Sequence, residues 1–135
     1  MKTGRRRGAV LIEAALVLPI LLYLTLGVIE YGWMLLKAQQ IANAAQAGVR
    51  AGALADGTTA TVNAAINSQM TQFGIPSTAY TTQYNPNDPS TLTRGATFSV
   101  QVSVTYSSVA VLGSIPMIPT PTTLRSTVSM AREGP

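Results

Sequence analysis

From Ala9 to Ile29 the apolar positions are continuous rather than periodic. Every residue there except Glu13 is apolar, small, or a hydroxyl or proline that a membrane helix tolerates. This run of about 21 residues is long enough for one helix across a hydrocarbon core of roughly 30 Å. Gly32-Trp33-Met34-Leu35-Leu36-Lys37 extends it to an aromatic and a lysine suited to the far membrane interface. Beyond Lys37 the pattern becomes periodic. Ile41, Ala45, Val49 and Gly52 recur at spacings of three and four, within a segment rich in strong helix formers. The two patterns predict one helix from about Ala9 to about Leu54, closed by Asp56-Gly57. Unbroken, its ~46 residues would form a rod of roughly 70 Å. Pro19 falls inside it, removes a backbone hydrogen bond, and is expected to kink or loosen the helix.

A second helix is predicted from Thr59 to Gln72, with Val62, Ile66, Met70 and Phe73 on one stripe, Thr58 or Thr59 as cap, and Gly74-Ile75-Pro76 as stop. A short extended segment, Ser77 to Tyr84, leads to a turn region at Asn85-Pro86-Asn87-Asp88-Pro89-Ser90. From Ala96 to Tyr106 the period drops to two. Phe98, Val100, Val102, Val104 and Tyr106 alternate with hydroxyls and an amide, as in a half-buried strand. Thr122 to Arg132 repeats this more weakly through Leu124, Val128 and Met130, and the two strands are expected to pair antiparallel. The apolar connection between them, Val109 to Pro121, is too proline-rich for strand; it either tucks onto the sheet or is exposed as a contact surface. The fold class is therefore α+β: a long N-terminal helix, membrane-spanning in its first half, then a short helix and a small antiparallel sheet.

Charge orients the span. Four of the nine Lys and Arg residues, Lys2, Arg5, Arg6 and Arg7, precede it, so the leader is expected in the cytoplasm and the bulk of the chain outside. The stretch between Glu13 and Glu30 alone has the length of a cleaved signal's apolar region. No small-x-small site followed by soluble character accompanies it, which favours a retained span. Without cysteine there is neither a disulfide nor a thiolate metal site, and without histidine the usual general base is missing. No phosphate loop, dinucleotide fingerprint or paired-carboxylate spacing occurs, and the turn at residues 85–90 holds one acid. No enzyme activity, cofactor or metal site is expected.

Gly8, four apolar residues and then Glu13 resemble the processing site of type IV pilin-like proteins. The fuller run from Arg7 to Pro19, then Leu26-Gly27-Val28-Ile29-Glu30-Tyr31-Gly32 and the Gln- and Ala-rich 38–45, resembles the TadE/TadG-like minor pseudopilins of tight-adherence pili. This resemblance covers residues 5–55. It implies a cytoplasmic leader, residues 1–8, cut by a prepilin peptidase between Gly8 and Ala9. It further implies a transmembrane half-helix at 9–36 and an exported pilin-like domain at 37–135. Glu13 would become the fifth mature residue and serve subunit assembly, with Arg5, Arg6 and Arg7 as the topology signal. The implied partners are the prepilin peptidase, other pilin and pseudopilin subunits, the inner-membrane assembly platform and the bilayer. The implied location is the bacterial inner membrane, N-terminus inside, and afterwards the pilus. One position departs from the family: Ala14 stands where an aromatic is common.

The physics of Glu13 fits that role. A lone carboxylate in hydrocarbon costs a few kcal/mol even on insertion scales, on the order of 3 kcal/mol. An ammonium freed at Ala9, on the same chain or a neighbour, would let it stay charged; the competing reading is an acid snorkelling to the cytoplasmic headgroups. Loss of residues 1–8 would leave 9 − 4 = 5 basic residues against 5 acidic ones, so the net charge of +4 belongs to the leader and is no sign of nucleic-acid binding. The functions in view are a pilin-like structural subunit in pilus biogenesis and adhesion, a single-pass membrane-anchored adaptor or adhesin that is never polymerised, and a secreted protein with a removed signal.

Overall fold

The computed structural model of the chain describes residues 3–113 and 118–133, with side chains from Gly8 onward. In chain order it holds α1 (Thr3–Ala53), α2 (Thr59–Gln72), β1 (Tyr80–Asn85), β2 (Thr97–Thr105) and β3 (Thr123–Ala131), with single 3-10 turns at 77–79, 89–91 and 106–108. The α+β class and the element order agree with the sequence pattern.

α1 begins earlier than the apolar run. Its 51 residues start at Thr3, so the arginine run and Gly8 are helical and continuous with the apolar run. The helix is assigned without a break through Pro19, whose missing N–H leaves the Ala15 carbonyl without its helical donor. Thr25 returns its hydroxyl to the Leu21 carbonyl at 2.8 Å, which satisfies a polar group on an apolar face. α2 is closed at its start by a reciprocal capping box between Thr58 and Thr61.

The sheet is antiparallel in the order β1-β2-β3. β2 is central: Val100 sits opposite Tyr84 on one side and Val128 on the other, and Val104 opposite Tyr80 and Leu124. The extended segment expected at 77–84 thus becomes a turn and an edge strand. Phe98, Val100, Val102 and Val104 point inward and are buried, while Ser99, Gln101 and Ser103 line the outer face.

The core lies between this inner face, α2 and the second half of α1. Ile41, Ala44, Ala45 and Val49 of α1 meet Val62, Ile66 and Met70 of α2 and the four inward residues of β2. α1 comes close because Gly48 and Gly52 carry no side chain. A Cβ at Gly48 would lie 2.7 Å from Ile66 Cγ1, and one at Gly52 would lie 2.7 Å from Phe98 Cδ1. Tyr80 and Tyr84 of β1 donate their hydroxyls to Asn67 and Asn63, one turn apart on α2, which ties the edge strand to that helix. At the far end of α1, the buried Arg132 guanidinium reaches the carbonyls of Pro89 and Ala55, joining the chain's last strand to the helix terminus.

Candidate functional site

The first half of α1 stands free of the domain. From Gly8 to Thr25 every residue is exposed, and burial begins only at Leu26 and Gly27. This part of the helix is long and apolar enough to cross a membrane. Gly8, Ala9, Glu13 and Pro19 all lie on this free segment. Arg5, Arg6 and Arg7 are in the same helix, and their side chains lie outside the described set.

Gly8 occupies open space: a Cβ there would meet nothing within 4 Å. Glycine in a helix interior costs about 1 kcal/mol relative to alanine. Nothing in this fold asks for it at position 8, in contrast with Gly48 and Gly52. Glu13 lies a little over one turn further, on an exposed surface shared with Val10, Leu16 and Val17. A carboxylate there is placed for contacts made outward, not into its own domain.

Where the free apolar half of α1 meets the domain, three side chains of α1 grip the β2–β3 connection, and a fourth, Lys37, reaches the end of α2. Glu30 is 1% exposed, although it is an acid at the end of the apolar run. Its Oε1 accepts the Tyr106 hydroxyl, and its Oε2 accepts the Leu112 N–H at 3.0 Å. Burial first, and then the Glu30 carboxylate, pushes the Tyr106 phenol from 10.0 up to about 12, so it remains a donor. The Tyr31 hydroxyl donates to the Pro119 carbonyl and the Trp33 indole N–H to the Val109 carbonyl, each at 2.7 Å. Lys37 is 7% exposed; its ammonium donates to the Phe73 carbonyl at 3.1 Å and lies 4.9 Å from the centre of the Trp33 ring.

One sequence expectation is corrected here. Lys37 does not reach out to headgroups, because the domain folds over it, whereas Trp33 stays half-exposed. Lys37 instead serves the C-terminal end of α2, where free carbonyls and the helix dipole favour a cation. The Val109–Pro121 connection takes both of its expected placements in its described part: Val109 is tucked into the core, Val111 and Leu112 are exposed, and contacts to α1 hold it; residues 114–117 lie outside the described residues. The Glu30–Tyr106–Leu112 arrangement was not anticipated. Its only signals were an acid at the end of an apolar run and a tyrosine at the end of an alternating strand, 76 residues apart.

Among the described residues no cluster of three or more acids could hold a metal ion. Among the described residues, open concavities lie on the outer face of the sheet and beside Arg94 and Arg132.

Residues 8–50 match the family described as TadE-like protein. The match opens at Gly8 and ends within the last turn of α1, so it bears out the resemblance over the helix and leaves the domain beyond it. It supports an association with the tight-adherence pilus. No curated protein and no solved structure matches the chain.

Proposed function

We propose that this chain is a minor, pilin-like structural subunit of a tight-adherence or type IV-like pilus. In this reading a prepilin peptidase cuts between Gly8 and Ala9, the remaining span holds the subunit in the inner membrane with its domain exported, and Glu13 joins it to neighbouring pilins at the assembly platform. The role is structural rather than catalytic. The observation that carries it is Gly8: a helix-weakening residue with open space around it, at the first position of the family match, five residues before a carboxylate on an exposed apolar surface. A peptidase must open a helix locally to reach its backbone, and glycine eases both the unwinding and the close approach. The exported domain, sizeable for a shaft subunit, favours a minor or tip-complex role.

Processing is tested by intact mass of the protein extracted from native membranes. The expected result is a chain beginning at Ala9, with Gly8→Leu leaving the precursor uncut. A wild-type chain that keeps residues 1–8 would overturn the reading and leave the membrane-anchored adaptor. A chain that has lost the span would mean a secreted protein.

A further inference from the structure

In its described residues, up to Gly113 and again from Ile118, the β2–β3 connection leaves the sheet and lies along the side of α1 toward the apolar run. Its height is fixed by named contacts. Val109 is held by Trp33, Leu112 by Glu30 and Pro119 by Tyr31. Ile118 Cδ1 lies 3.4 Å from where a Cβ on Gly27 would sit. Counted from Ala9 at 1.5 Å per residue, Gly27 lies about 27 Å and Glu30 about 32 Å along the helix, against a hydrocarbon core of roughly 30 Å. The connection therefore sits level with the outer boundary of the core.

Its chemistry suits that depth. No charged residue occurs between Tyr106 and Arg125. Val111 and Leu112 are 49% and 41% exposed, and Val28 and Ile29 of α1 are exposed nearby in sequence to the residues that hold them. The one acid at this level, Glu30, is turned inward with both oxygens bonded. Irregular backbone at membrane depth must find its hydrogen-bond partners within the protein. Here the N–H groups of Val109 and Ala110 go to the Tyr106 carbonyl, that of Leu112 goes to Glu30, and the carbonyls of Val109 and Pro119 receive Trp33 and Tyr31.

We propose that Val111 and Leu112 of the β2–β3 connection enter the outer leaflet beside α1, giving the exported domain a second, lipid-facing foothold. The proposal rests on α1 being a retained membrane span. It commits to lipid acyl chains as the occupant, because the patch continues the lipid-facing surface of the span and carries no charge for a polar partner.

The chain's lack of cysteine makes single-cysteine spin labelling direct. Leu112→Cys, Val111→Cys, Leu21→Cys as span control and Thr127→Cys as sheet-face control are made in the full chain. Each is labelled and reconstituted at low protein-to-lipid ratio into phosphatidylethanolamine–phosphatidylglycerol vesicles. Collision with oxygen, which concentrates in lipid, is compared with collision with a water-soluble nickel chelate. The expected ratio of oxygen to nickel accessibility at 111 and 112 is several-fold above that at 127 and below that at 21. Water-like values at 111 and 112 with position 21 protected would overturn the foothold and leave the span intact. Water-like values at 21 as well would overturn both. Low collision with both reagents at 112, relieved by diluting protein in lipid, would mean that a second copy covers the patch, which also overturns the lipid assignment.

Discussion

At the scale of single residues, the pair Glu30 and Tyr106 decides how the domain is held to its helix. A buried carboxylate with two donors is satisfied; with one donor removed, the lost charged hydrogen bond costs about 1.5–3 kcal/mol. Tyr106→Phe keeps the ring and removes only the hydroxyl. It should lower thermal stability by that order in detergent-solubilised protein, with the far-ultraviolet circular dichroism spectrum unchanged below the transition. The pH dependence has a definite sign. The Tyr106 phenol is raised from 10.0 to about 12, so the folded state favours its neutral form. That contribution is fully present below pH 10 and is lost as pH rises towards about 12. Melting temperatures across this window should fall for the parent chain and fall less steeply for Tyr106→Phe. Equal slopes would show that the phenol is not coupled to folding.

At the scale of elements, the same substitution has opposite consequences at two glycines of one helix. Alanine in place of glycine gains about 1 kcal/mol of helix propensity wherever space allows. At Gly52 the new methyl would drive into the ring of Phe98, which is fully buried and stacked beside Tyr84. Overpacking of that kind typically costs about 1–3 kcal/mol, enough to cancel or exceed the gain. Gly52→Ala should therefore melt lower than the parent, and Gly8→Ala should melt no lower; a stabilised Gly52→Ala would mean that α1 can move off the sheet without penalty. Strong periodicity made most elements legible in the sequence. The stripe Val62, Ile66, Met70 and the alternation Phe98 to Val104 predict α2 and β2 nearly to the residue. β1 was legible only as an extended segment, because Tyr80, Thr82 and Tyr84 are half-polar and half-buried, so their alternation carries little hydrophobic contrast. Lys37 was misread for a related reason. A lysine after an aromatic at the end of an apolar run looks the same whether headgroups or a carbonyl 36 residues away receives it. Long-range partners of this kind leave no local trace, and the Glu30 clamp is another.

At the scale of the whole molecule, the chain divides its charges by what they can reach. Glu30, Lys37 and Arg132 are buried and spent on the domain's own groups, whereas Glu13 is left on an exposed apolar surface. If cleavage frees an ammonium at Ala9, a carboxylate one turn away or on a neighbouring subunit meets it in low dielectric, where a paired charge is worth far more than in water. Removing Glu13 should therefore spare the subunit and damage the assembly. Under the proposed processing, Glu13→Ala should be cut after Gly8 like the parent, since Gly8 itself is unchanged. It should insert at least as well, because a charge costly to place in hydrocarbon is gone. Its domain should melt unchanged, because residue 13 touches none of the core. Glu13→Gln keeps the shape and deletes the charge. Both variants should reduce sheared surface pili, or the incorporation of this subunit into them, at equal membrane levels of processed protein. Normal piliation with Glu13→Gln would make Glu13 an interfacial acid that snorkels to the cytoplasmic headgroups, and would move the assembly contact to the apolar faces of α1.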